Sequence, residues 1–419
     1  MYEIASVTAR EILDSRANPT VEATVTLSDG TAASASVPSG ASTGAHEAAE
    51  LRDTENDTRY RGKGVLRAVS NVRERIAPAI VGVPATEQGR VDSLMIALDG
   101  EYNKSNCGAN AILSVSLAAA RAAATAARAP LYRYLGGALR EHMPVPMMNI
   151  LNGGAHTTEG TDFQEFMIIP TGADSFSEAV RMGAEVYAAL KDRLRERGLP
   201  TGVGDEGGFA PGLSDERAAI ELILSAVSAA GYSAGRDIML GLDMAASEWV
   251  CDGGYLLPRS GRRYTSAELC MLIEELVRDY PILTVEDGMG EEDTEGWRLL
   301  TSRLGERVTL VGDDLFVTDP RRVAAGIEKK TANAVLIKPN QIGTLTETAA
   351  AVNTARRAGW RTVMSHRSGE TADSFISDLA VALGTDFIKC GAPARSERTA
   401  KYNRLMAIES EMFAPSYGL

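Results

Sequence analysis

The chain has 419 residues, enough for one large barrel and a smaller domain. Its hydrophobic share of 44% and charged share of 24% are those of an ordinary globular protein. A net charge of −13 argues against general binding to nucleic acid or anionic membranes, which both need a basic surface. An acidic chain that handles an anionic substrate has to build a local cationic site from Lys, Arg or bound metal.

Residues 1–37 carry a β pattern. Thr20–Leu27 alternates with period two, Ser28-Asp29-Gly30 turns, and Ala32–Val37 returns. No basic and apolar leader precedes it, so a cytoplasmic protein is expected. Residues 38–47 are rich in small residues and glycine, as in a mobile loop that brings backbone close to a ligand. Helical patterns follow at 65–80 and 108–138. The alanine-rich stretch 117–130 is broken by Arg121 and Arg128, so no membrane span is expected. An α+β domain over 1–135 is the first expected unit.

From 140 to 419 the pattern is α/β. Helical segments are expected at 176–197, 214–230, 265–279, 293–304, 319–329, 344–358 and 371–384. Apolar runs lie between them and end on Asp243, Glu286, Asp313, Lys338, His366 and Lys389. Strand–helix alternation of this length predicts a parallel (β/α) barrel. The strand-end residues follow one another after 43, 27, 25, 28 and 23 positions, and the later intervals suit one βα unit each. Barrel geometry would bring all six to one rim. The four cysteines are far apart and form no CxxC, so neither a disulfide framework nor a zinc site is indicated.

Asp243, Glu286 and Asp313 would form a cluster of three carboxylates, whose mutual repulsion a hard divalent cation relieves. An all-oxygen donor set suits Mg²⁺, with Mn²⁺ as a substitute. Lys338 and Lys389 would share the rim with that metal, and positive charge nearby should lower a lysine pKa toward that of a useful base. Glu206 sits among the glycines of Gly202–Gly208 and could protonate a leaving hydroxyl. Asn152–His156 with Gln164 and Glu165 is a second glycine-framed polar site. Arg367 and Ser368 follow a strand, where a guanidinium and backbone N–H groups could hold a phosphate.

These residues lie within longer motifs: SGASTGAHEAAELRD from Ser39, GANAIL from Gly108, QEFM from Gln164, GDEGGFAP from Gly204, VGDDLFVT from Val311, NQIGTLTET from Asn340 and SHRSGET from Ser365. In them, and from Ala9 to Asn403, the chain resembles the enolase family, whose superfamily is itself the known example of a lysine base paired with Mg²⁺. The resemblance implies a small α+β domain followed by an eight-stranded barrel with an irregular start. It implies Lys338 as the base at C2 of 2-phosphoglycerate and Glu206 as the acid at the C3 hydroxyl, with Glu165 beside it. It implies Asp243, Glu286 and Asp313 on one Mg²⁺ and Ser42 on a second. Arg367 and Ser368 would contact phosphate. His156, Gln164, Lys389 and the adjoining His366 would complete the site. The product would be phosphoenolpyruvate, and the assembly a homodimer or an octamer.

The chain departs from the family pattern at Ala17, Ser114, Thr157, Ala372, Asp386 and Phe387. These departures leave open a relative acting on a related acid, such as a carboxyphosphonoenolpyruvate synthase of phosphonate biosynthesis. A non-catalytic protein on the same scaffold is the reading from a different class, although it would be free to lose Lys338, Glu206 or a carboxylate, and all are present.

Overall fold

The alternation in Thr20–Leu27 puts Val21, Ala23, Val25 and Leu27 on one face, and all four are at most 1% exposed. In this computed structural model, which describes residues 2–40, 44–55, 58–157, 160–213 and 215–419, that face belongs to an antiparallel meander. Its strands are β1 (Ile4–Leu13), β2 (Pro19–Leu27) and β3 (Ala32–Ser36). Gly30 turns the second hairpin with φ +89°. The helix Ala109–Ala126 packs on β2 and β3, its small side chains allowing close approach. It is long and apolar enough to cross a membrane, but 83% of it is buried inside the protein.

The helical stretch expected at 65–80 is divided. Leu66–Asn71 and Ala77–Ile80 are α-helical, and Val72–Ile76 between them widens into a π turn. Pro78 has no N–H to give to the preceding turn, which accounts for a local change of winding there. The helix Gln88–Asp99 was not expected. Its inner face carries Asp92, 0% exposed, which accepts a 2.9 Å hydrogen bond from the Thr346 N–H and a 2.5 Å bond from its hydroxyl. A carboxylate on the inner face hides the apolar period and fastens the N-terminal unit to the barrel.

Eight strands close the barrel: β4 (Val145–Asn152), β5 (Glu165–Ile169), β6 (Met239–Asp243), β7 (Ile282–Glu286), β8 (Thr309–Gly312), β9 (Ala334–Ile337), β10 (Arg361–Ser365) and β11 (Phe387–Lys389). The expectation of a wholly parallel barrel needs correcting. β5 runs antiparallel to both β4 and β6, which is the irregular start that the family resemblance implied. Among the described residues no helix of crossover length joins β4 to β5, and two helices, Phe176–Glu196 and Glu216–Ala229, precede β6. Strands buried on both faces have no alternation from which direction can be read.

Strand parity positions the site. Val311, Ala334, Leu336, Val363, Phe387, Met167 and Ile169 are fully buried together inside the barrel. Two residues beyond the last inward apolar position come Asp313, Lys338, Ser365 and Lys389, and Glu165 stands two before Met167. Side chains two apart share a face, so the polar groups extend the barrel's interior at its rim. Glu165 begins its strand rather than ending it, yet it pairs with Asp243 and Asn152 because β5 is reversed.

Candidate active site

Lys389 is the hub of one half of the rim. Its Nζ lies 3.0 Å from Glu165 Oε2, 3.2 Å from Asp243 Oδ2 and 2.9 Å from Glu286 Oε2. All four side chains are at most 5% exposed. Burial alone would lower the Lys389 pKa, but the surrounding carboxylates, Glu165 first, hold it well above the ordinary lysine value. Burial pushes the Glu286 carboxyl up to about 8; Asp243 adds to this and Lys389 opposes it, with Asp313 near enough to be felt. One ammonium therefore faces more negative charge than it can neutralise.

Lys338 occupies the other half. Its ammonium is paired with Asp313 Oδ2, while Gln341 Nε2 donates to Asp313 Oδ1 at 2.9 Å. A lowered Lys338 pKa is the expectation once a metal shares the rim. Burial lowers it, and Arg367 and Lys389 push the same way, but among the protein's own groups Asp313 prevails and the net shift is upward.

The carboxylates fit a metal by their chemistry. The described residues bring Asp287, Asp313 and Asp314 within 4.8 Å of one another. Of the trio expected from sequence, only Asp313 belongs to this group. Asp287 accepts the backbone N–H groups of Asp313 at 2.9 Å and Asp314 at 3.0 Å, so its oxygens brace the turn after β8. Burial, followed by the Asp313 charge, raises Asp314 to about 7. Asp243 and Glu286 meet at Lys389, and Glu286 is also within electrostatic reach of Asp313. The buried Gln164 Oε1 has no hydrogen-bond partner among the described residues. Oxygen donors in excess of the available cations suit a hard divalent ion.

Glu206 reaches the rim from the loop between the two long helices. Gly207 takes φ +86°, where a side chain would be strained, and its N–H bonds the Gly204 carbonyl at 3.1 Å. Glu206 Oε2 receives Asn149 Nδ2 at 3.2 Å and lies 3.4 Å from His366 Nε2. Burial, with a smaller push from the Arg398 charge, lowers His366 to about 4 even though Glu206 opposes the shift. The ring is therefore neutral at physiological pH.

The Arg367 guanidinium is 3% exposed and bidentate to Glu47, at 2.8 Å and 3.1 Å, with Asn340 Oδ1 at 3.2 Å. Ser368 is beside it. Glu165, Gln164, Glu206, Asp243, Asp313, Lys338, His366, Arg367, Ser368 and Lys389 all line one polar cavity. Ser42 lies outside the described residues. The backbone of His156 closes a short 3₁₀ turn, Gly154–His156, and its side chain is outside the description.

Glu47, Asn149, Asp287, Asp314 and Gln341 were not singled out from sequence. Asp287 and Asp314 each adjoin a strand-end acid that was, which is the signal that could have found them. Asn149 lies within an apolar strand, and Glu47 and Gln341 meet the site only through the fold.

Among the described residues that line the cavity, none is a departure from the family pattern. Phe387 fills the barrel interior under the Arg361 guanidinium, 5.7 Å from the ring centre. Asp386 accepts the Thr362 N–H at 2.9 Å, and Ser114 back-bonds to the Ala111 carbonyl at 2.8 Å inside a helix. The Thr157 carbonyl accepts from Arg259 at 2.7 Å. Ala17 takes φ +58°, which an alanine adopts only under strain.

The model for the C-terminal TIM barrel domain of enolase matches residues 140–417, and that for the enolase N-terminal domain matches residues 4–135. The chain is 58% identical to a protein named enolase from Acidothermus cellulolyticus over 412 residues, covering 98% of this chain and 95% of that protein. With two domain models spanning nearly its whole length and that degree of identity, the chain belongs to the enolase family of hydro-lyases.

Proposed function

We propose that the protein catalyses the Mg²⁺-dependent dehydration of 2-phosphoglycerate to phosphoenolpyruvate. The observation that carries this reading is the convergence of Lys338, Glu206, a surplus of carboxylates and Arg367 on one buried cavity. Asp243, Glu286 and Asp313 would hold one Mg²⁺, and Ser42 would join a second. Bound Mg²⁺ supplies positive charge against which a carbon next to a carboxylate can lose its proton.

Arg367 and Ser368 hold the phosphate, with Gln164, His156, His366 and Lys389 as further contacts. Lys338 Nζ takes the C2 proton and has to be a neutral amine when it does. Arg367 and Lys389 favour that form, and Asp313 opposes it. Anything that draws the Asp313 carboxylate away from Nζ therefore strengthens the base. Glu206 gives its proton to the C3 hydroxyl, which leaves as water as the C–O bond breaks and the C2–C3 double bond forms. Glu165, beside it, is pushed well above the usual carboxylate range by burial first and then by Glu206, so the pair can keep a proton near neutral pH.

The departures that lie off the cavity support plain 2-phosphoglycerate as substrate rather than a phosphonate relative. We take a cytoplasmic homodimer as the working form, as the family implies. The test is the ultraviolet rise of the enol product when purified protein meets 2-phosphoglycerate and Mg²⁺. No rise from folded, metal-loaded protein would overturn the proposal, and turnover of a phosphonate analogue alone would redirect it.

A further inference from the structure

His366 stands between two groups that give its ring nitrogens different tasks. Nε2 lies 3.4 Å from Glu206 Oε2. Nδ1 lies 2.6 Å from Arg398 Nη1. A guanidinium nitrogen only donates. Nδ1 must therefore accept through its lone pair, and the neutral ring carries its single proton on Nε2, directed at Glu206. The opposite tautomer would set two N–H groups against each other on one side and a lone pair against a carboxylate oxygen on the other.

Arg398 comes from the helix Ser396–Glu411 and is 0% exposed. The same guanidinium donates to the carbonyls of Arg367 at 2.6 Å, Ser368 at 2.7 Å and Asp205 at 2.9 Å. It thus joins the residue before Glu206, the turn carrying Arg367 and Ser368, and the His366 ring. Its carboxylate neighbour is Glu397 Oε1, 3.6 Å from Nε. Carrying a guanidinium into the interior mainly to meet carbonyls and one ring nitrogen is costly unless orientation is its use. The planar fork matters here, because a lysine ammonium presents one point and cannot span these acceptors.

We infer that Arg398 is a positioning residue that fixes His366 as its Nε2–H tautomer, aims that N–H at Glu206, and ties the Glu206 loop to the Arg367–Ser368 turn. The depressed His366 pKa agrees, since burial and the Arg398 charge both keep the ring neutral. With His366 and Asn149 both directed at Oε2, the Glu206 carboxyl group is held by one defined end. The catalytic consequence rests on the proposed role of Glu206, but the tautomer does not.

The test is ¹⁵N NMR of the full-length protein labelled at histidine. The chain has only four histidines, so a His366→Asn variant assigns the signal. At neutral pH wild-type His366 should show a protonated Nε2 and an unprotonated Nδ1. Arg398→Met, which removes every donor, should turn this into mixed tautomers or a protonated ring. A wild-type ring protonated on Nδ1 overturns the inference whatever the variants do, so a variant that fails to fold leaves it testable. An unchanged tautomer in folded Arg398→Met also overturns it. Arg398→Lys, read in parallel, should lower kcat by about 10–100-fold, and unimpaired turnover would remove the catalytic consequence. If wild-type protein does not turn over 2-phosphoglycerate, the reading of Glu206 fails while the tautomer is still decided by the spectrum.

Discussion

Replacing Lys389 by methionine keeps the side-chain length and removes the ammonium. Glu165, Asp243 and Glu286 then lose a partner that sits between 2.9 and 3.2 Å from each of them. They are 1–5% exposed, so water cannot take over the lysine's role. Removing one member of a buried charge cluster costs about 3–5 kcal/mol. For a unit the size of the barrel, residues 140–417, that corresponds to a fall in Tm of about 5–9 °C. Thermal unfolding of wild type and Lys389→Met, each with excess chelator and with saturating Mg²⁺, measures it. The fall should be full in chelator and smaller in Mg²⁺, because a cation bound by the same carboxylates offsets the missing charge. A negligible fall in chelator would refute the idea that the carboxylates depend on Lys389. An equal fall in both conditions would show that the cation does not share them.

Glu286, raised from 4.5 to about 8, contributes stability that is fully present below pH 4.5 and lost as the pH rises through 8, and Asp314, raised to about 7, acts in the same sense. Chelated protein should therefore unfold more readily at pH 8 than at pH 6.5, by up to about 1.4 kcal/mol per pH unit for each group. The His366 titration, between about 6.5 and 4, lies outside this interval. A Tm that rises over the interval would contradict the assignment. Ala17→Gly, which relieves the strain at φ +58°, should raise Tm by an amount equivalent to at most about 1 kcal/mol without changing kcat; a lower Tm would count against strain at that turn. Lys338→Ala should lower kcat by about 10²–10⁴-fold while leaving the protein folded, and steady-state rates beside a circular dichroism spectrum check both parts.

The most legible parts of the molecule were those in which parity and position coincide. Lys338 follows Leu336 by two residues and Lys389 follows Phe387 by two, so the alternation that buries the barrel interior also aims the lysines. The reversed β5 was hidden because a strand buried on both faces is apolar throughout, and so Glu165 reached the rim by a route that strand-end counting does not see. The helix around Asp92 was hidden because a polar anchor occupies its inner face. Glu47 and Gln341 come from segments far apart in the chain, and only folding brings Glu47 to Arg367 and Gln341 to Asp313.

The division of labour between Lys338 and Glu206 is tested most directly by exchange of the C2 proton of 2-phosphoglycerate in deuterated buffer with Mg²⁺, followed by proton NMR. Glu206→Gln should exchange C2 while forming little phosphoenolpyruvate, and Lys338→Ala should do neither. Exchange that survives in Lys338→Ala, or that is lost together with dehydration in folded Glu206→Gln, would contradict the assignment of base and acid.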